Sequence, residues 1–80
     1  MDRDTIFSVV KKHIVNAVDD VEEATIDPQK SMADYGASSL DIVSVVSSSM
    51  RELKIKIPRT ELKNVSTIDG LVDLFEKSAS

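Results

Sequence analysis

The sequence predicts an all-α protein, a four-helix bundle of three longer helices and one short one, with a long first loop. Three observations lead there. Apolar residues recur at steps of three and four in three separate segments, the stripe of an amphipathic helix. Capping residues stand where those segments begin. Eighty residues supply one modest hydrophobic core and leave no room for a second domain, so residues 1–80 are expected to fold as a single unit.

Ile6, Val9, Val10, Ile14, Ala17 and Val18 form the first stripe and predict a helix over residues 4–18. Asp2, Asp4 and Thr5 supply N-cap or first-turn groups, which the positive end of the helix dipole favours. Residues 19–37 then read as a polar connection: an acidic run, the turn Asp27-Pro28, and Gly36 as the place for a left-handed backbone. A loop of this length in so small a domain has packing or functional content, and Val21, Ile26, Met32 and Tyr35 are expected to pin it to the core.

Residues 39–53 are rich in β-branched side chains, which raises a strand as the competing assignment. Spacing decides for a helix. Ile42, Val43, Val45 and Val46, with Leu40, Met50 and Leu53, make a wide helical stripe, whereas strict alternation would group Ser44 and Ser48 with Ile42 and Val46. Ser38 is the expected N-cap, and Asp41 three residues later completes a capping box with Asp in place of Glu. Pro58 biases Ile57 to an extended backbone, so this helix ends near Leu53 and Ile55 and Ile57 face the core together. A short third helix is expected over 60–63, capped by Arg59 or Thr60. Ser66-x-x-Asp69 reads as another capping arrangement, with Ile68, Leu71, Val72 and Phe75 placing the last helix at 67–77 and a frayed end after it.

Composition excludes several functions. With no Cys and one His, the chain offers no disulfide framework, no thiolate zinc site, no Cys nucleophile and no multi-histidine metal cluster. The balance of 14 acids against 10 bases argues against nucleic acid as a partner, because phosphate binding needs a basic surface. No apolar run is long enough to span a bilayer, and Met1-Asp2-Arg3-Asp4 lacks the character of a signal peptide, so a cytoplasmic protein without a membrane partner is expected. The charge is uneven: residues 1–41 hold nine acids and four bases, residues 42–80 five acids and six bases. Asp19, Asp20, Glu22, Glu23 and Asp27 either solvate the loop or steer a partner.

Asp34-Tyr35-Gly36-Ala37-Ser38-Ser39-Leu40-Asp41 resembles the phosphopantetheine attachment motif of acyl carrier proteins, whose pattern is Leu-Gly-x-Asp-Ser-Leu-Asp. The resemblance extends over nearly the whole chain. It implies an acyl-carrier fold in which Ser39 takes a covalent phosphopantetheine arm from coenzyme A, and in which Leu40, Asp41, Ile42, Val43 and Ser44 form the face read by partners. The partners it implies are a phosphopantetheinyl transferase and then an acyltransferase, a ketosynthase or an enzyme resembling hydroxymethylglutaryl synthase, with the carrier a monomer. Two positions depart from the pattern: Ser38 replaces the Asp before the modified serine, and Tyr35 replaces the Leu before Gly36. The face of the second helix, read as Asp41, Ser44, Ser47, Ser48, Ser49, Arg51 and Glu52, is nearly neutral where fatty-acid carriers are acidic. In this it is similar to discrete carriers of polyketide pathways, among them the donor carriers of β-branching cassettes. The absence of Trp argues against the acceptor carriers of those cassettes.

Other readings stay open at this level. Ser38-Ser39 alone fits an ordinary helix cap. A peptidyl carrier shares the fold and the serine, although the acidic first half leans against it. An unmodified helical interaction module would use the Ile and Val face of the second helix. An enzyme would need Ser39 as nucleophile and His13, the one histidine, as base, whereas the bland expectation for His13 is an amphipathic surface residue.

Overall fold

Asp2 begins the first helix by accepting the amide N–H of Thr5 on Oδ1 at 2.8 Å, filling one of the donors a helix leaves without a partner at its start. In the computed structural model, which describes residues 2–79 and, at Arg59, the backbone alone, four helices follow: α1 Arg3–Ala17, α2 Ser39–Leu53, α3 Arg59–Leu62 and α4 Ile68–Ala79. No strand occurs among the described residues.

α1 buries Ile6, Val10 and Ile14, and packs against both α2 and α4. Its end lies one residue earlier than the stripe predicts, because Val18 turns to an extended backbone while its N–H still bonds the Ile14 carbonyl at 2.9 Å. α2 has the expected bounds. It stops at Lys54, which adopts the left-handed conformation (φ 58°), and the Ile55 N–H then returns to the Met50 carbonyl at 3.1 Å. Ile55 and Ile57 are buried and Lys54 and Lys56 exposed, the alternation of an extended segment.

Three helix starts differ from expectation, α1 by beginning at Arg3, one residue early. α3 begins one residue early, on Pro58 as N-cap, and neither Arg59 nor Thr60 caps it; the Pro58 carbonyl takes the first bond, from Glu61 N–H at 3.1 Å. α4 is capped by Thr67, whose Oγ accepts Gly70 N–H at 3.0 Å, in place of the Ser66–Asp69 arrangement. The Asp69 carboxylate is drawn instead to Arg3, which also pairs with Asp73 and, at 3.4 Å, Glu76. α4 continues to Ala79, through part of the expected fray; the rest of that expectation, Ser80, lies outside the described residues.

The connection over 19–37 holds two 3₁₀ turns, Glu23–Thr25 and Met32–Tyr35. Ile26 and Met32 are buried, and Val21 and Tyr35 pack half-buried against the same core, as expected. Polar bonds complete the attachment. The Pro28 and Lys30 carbonyls accept the Asp69 and Ile68 N–H groups at 2.8 and 2.9 Å, so the loop supplies partners for the start of α4. The Tyr35 hydroxyl accepts Asp27 N–H at 2.6 Å and donates to the Thr25 carbonyl at 3.4 Å. The core joins all of these: Phe75, Ile6, Ile14, Ile68, Leu71, Val10, Val45 and Val72 are essentially inaccessible, each such side chain contributing about 1.5–3 kcal/mol through burial. No helix among the described residues is long and apolar enough to cross a membrane.

Glu52 ties the end of α2 to α1. Its Oε2 accepts Lys12 Nζ at 2.6 Å, and His13 Nε2 stands 2.9 Å from Oε1, so His13 is a paired residue and largely covered. Lys12 first, and His13 after it, hold the carboxyl below its ordinary pKa of 4.5. A depressed carboxylate stabilises the fold above the unfolded pKa and loses that contribution as pH falls through the folded value. Glu52→Gln should therefore lower the urea midpoint at about pH 6, and the difference from the parent protein should close toward about pH 3.

Candidate functional site

The approach to α2 is built from consecutive caps. Ser31 and Asp34 close the second 3₁₀ turn reciprocally, Asp34 N–H to Ser31 Oγ at 3.2 Å and Ser31 N–H to Asp34 Oδ2 at 2.9 Å. Gly36 then takes φ 89°, a conformation an L side chain resists, and its N–H and that of Ala37 return to the Ala33 and Met32 carbonyls. Two residues later the same device repeats: Asp41 N–H donates to Ser38 Oγ at 3.2 Å, and Ser38 N–H donates to Asp41 Oδ2 at 2.9 Å. The predicted capping box of α2 is present.

Ser39 is the first residue of α2 and is exposed. Of the serine pair, Ser38 is committed to the cap, while the Ser39 hydroxyl has no hydrogen bond among the described residues. The Ser39 and Leu40 N–H groups, next in the first turn, likewise have none. An exposed hydroxyl beside two unpaired N–H groups at the positive end of a fifteen-residue helix suits a phosphodiester anion. The residues present therefore fit a phosphopantetheine arm on Ser39.

The predicted partner-face residues separate into three environments. Leu40 is 82% exposed and Val43 58%, the two large apolar side chains among the described residues that stand in solvent. Ser44 is exposed as well, whereas Asp41 is half-buried in the cap and Ile42 half-buried against the core. Leu40 and Val43 thus lie outside the part of the apolar stripe that α2 buries. Ser49 requires a correction: it is fully buried, with an unpartnered Oγ, on the inward face with Val45, Val46 and Leu53, and so is no part of the recognition face. Glu52 too is withdrawn from that face by its pairing to α1.

Below Ser39 runs a cleft of about 710 Å³ that sequence reasoning did not find. Ile42, Val43, Val46, Ser47 and Met50 form one wall, at three, four, seven, eight and eleven residues from Ser39, the spacing that shares one helix face. This wall extends about 16 Å along α2 from Ser39. The opposite wall comes from Leu62, Lys63, Val65, Ser66 and Thr67 at the α3–α4 junction, with Met32 and Leu71 also lining the space. No local signal marks such a cleft, since its walls lie far apart in the chain. His13, by contrast, is held at Glu52, thirteen residues and so about 20 Å along α2 from Ser39. It is out of reach as a base for that hydroxyl.

Comparison with known proteins agrees with this geometry. Residues 12–75 match the family model described as a phosphopantetheine attachment site. The chain is 30% identical over 81 residues to a polyketide biosynthesis acyl-carrier-protein of Bacillus subtilis, covering 100% of this chain and 99% of that one. It is 33% identical over 75 residues to an acyl carrier protein of Thermotoga maritima, covering 94% and 93% respectively. Among solved structures, it is similar over 100% of both chains to one in the crystal structure of the curacin biosynthetic pathway HMG synthase in complex with acetyl donor-ACP, with a TM-score of 0.84 and 26% identity.

The cap geometry is directly testable. Ser38→Ala should cost about 0.5–2 kcal/mol in chemical denaturation, because the Asp41 N–H loses its acceptor. Ser38→Asp should hold the parent stability, since a carboxylate there still caps the helix and suits its dipole.

Proposed function

This chain belongs to the acyl carrier proteins, whose covalent cofactor is phosphopantetheine, and from that premise we propose that Ser39 is the residue that bears the arm. The observation that carries the assignment is the division of labour within the serine pair: Ser38 is bound into the cap and Ser39 is free and exposed. Ser39 needs no activating base of its own. A separate phosphopantetheinyl transferase would deprotonate the hydroxyl, and the Ser39 Oγ–phosphorus bond would form as the pyrophosphate of coenzyme A breaks and its adenosine bisphosphate half leaves. The bound arm supplies a thiol, which this Cys-free chain lacks, for thioester formation. The free N–H groups of Ser39 and Leu40 would stabilise the new phosphodiester.

The carrier itself performs no catalysis in this reading, since His13 is paired far from Ser39. The apolar cleft below Ser39 would shelter the acyl chain between encounters, and Leu40 and Val43, with Ser44 beside them, would meet partner enzymes. The same reading takes the chain as a single carrier domain that acts as a monomer in the cytoplasm. The pathway reading is polyketide assembly, with a synthase resembling hydroxymethylglutaryl synthase as one partner. It is supported by the near-neutral face of α2, by the Bacillus relative and by the curacin donor carrier.

Ser39→Ala should abolish the mass gained on coexpression with a broad-specificity phosphopantetheinyl transferase while leaving helical circular dichroism unchanged; transfer of the mass gain to Ser38 would refute the assignment. For the partner face, the loaded protein should serve fatty-acid elongation enzymes poorly. Ser44→Glu with Ser48→Glu should improve it, and the gain should shrink as salt rises.

A further inference from the structure

We propose that Lys63 makes the cleft selective for acyl groups that end in a carboxylate. The inference rests on the assignment of Ser39 and of the cleft as the acyl chain's shelter. Most of the cleft is apolar, but the wall opposite α2 is not. Lys63, Ser66 and Thr67 line it, with Ser31 contributed by the loop and Ser47 by α2. Among the described side chains that line the cleft Lys63 is the single charged one, and no carboxylate is among them. Glu61, the nearest acid in sequence, lines a separate shallow groove with Asn64 and Lys77. The Lys63 ammonium has no ion-pair partner among the described residues.

The hydroxyls are biased in the same direction. Ser31 Oγ and Thr67 Oγ each accept a backbone N–H, from Asp34 and Gly70, and each keeps its O–H free to donate. Ser66 Oγ has no partner among the described residues and can donate as well. One cation and a set of hydroxyl donors around an apolar floor complement an acyl chain whose methylenes lie on Val46 and Met50 and whose far end is anionic. A saturated neutral chain would offer these donors no acceptor and leave them to water. An unpaired carboxylate in an apolar cleft would be costly, and Lys63 removes that cost.

Because Lys63 is solvent-exposed, the effect should have the size of an exposed pair, about two- to five-fold in the ratio of docked to free chain. The test loads Ser39 with amide-linked hexanoyl or adipoyl pantetheine, chains of equal length that differ in the terminal carboxylate. Docking is read from the methyl chemical shifts of Val46 and Val65, and the terminal carboxyl is titrated by isotope-edited nuclear magnetic resonance. For adipoyl, Lys63→Gln should reduce docking about two- to five-fold and raise the carboxyl pKa, Lys63→Arg should restore both, and added salt should mimic the Gln variant. Hexanoyl docking should be unchanged in every variant. Equal responses of the two chains to Lys63→Gln, or an adipoyl carboxyl that titrates alike in both proteins, would overturn the selectivity. Failure of the parent protein to load at all would instead overturn the Ser39 assignment on which it stands.

Discussion

A helix leaves its first N–H groups without intrahelical partners, and the way α2 disposes of its own determines everything around Ser39. Ser38 and Asp41 satisfy two of them by bonding each other's backbone, and the Ser38 carbonyl receives the Ile42 N–H as the helix proper begins. What remains open is the pair at Ser39 and Leu40. The cap therefore both starts the helix and concentrates its unspent positive potential at the residue whose hydroxyl stands free. A carboxylate at Ser38 would cap as well, so the Ser found here keeps the geometry while removing one negative charge from beside Ser39.

That cap holds only if the chain arrives at Ser38 from a defined direction, and the long first loop supplies it. Its second 3₁₀ turn is closed by Ser31 and Asp34, and Gly36 reverses the backbone into the cap. The loop is anchored at its far side by hydrogen bonds from Pro28 and Lys30 to the start of α4, whose first turn is in turn held to α1 through Arg3 and Asp69. A chain of eighty residues has little core to stabilise so long a connection. It compensates by making the loop's own carbonyls the N-terminal partners of a helix, so that loop and bundle order together.

These features were legible in the sequence wherever the physics is local. Ser38 with Asp41, the end of α2 near Leu53 and the inward alternation of Ile55 and Ile57 follow from residues within a few positions of each other. Local chemistry was ambiguous at α4, where Ser66 and Thr67 are both good caps. The choice of Thr67 went with a distant charge, since Asp69 is engaged by Arg3 from the other end of the chain. Ser49 was misread for a similar reason: its polarity argues for the surface, yet its angular position on α2 lies with Val45 and Leu53. The cleft had no signature, because a groove between α2 and the α3–α4 junction exists only once the backbone has been brought around.

The structure sharpens what the neutral face of α2 means. The helix contains two carboxylates, Asp41 and Glu52, and both are engaged within the chain: the first accepts the Ser38 N–H, and the second is shared between Lys12 and His13. Of its charged side chains, Arg51 alone is left exposed without an ion pair among the described residues. An enzyme that finds its carrier by basic residues reading an acidic helix therefore meets almost no complementary potential here, and its encounter rate loses the electrostatic contribution. In the proposed reading, recognition along this helix would come instead from shape and apolar contact at Leu40 and Val43, set among serine hydroxyls. Such a surface discriminates by fit at close range, and the acidic loop over 19–27 becomes the remaining concentration of charge from which an approaching partner can take direction.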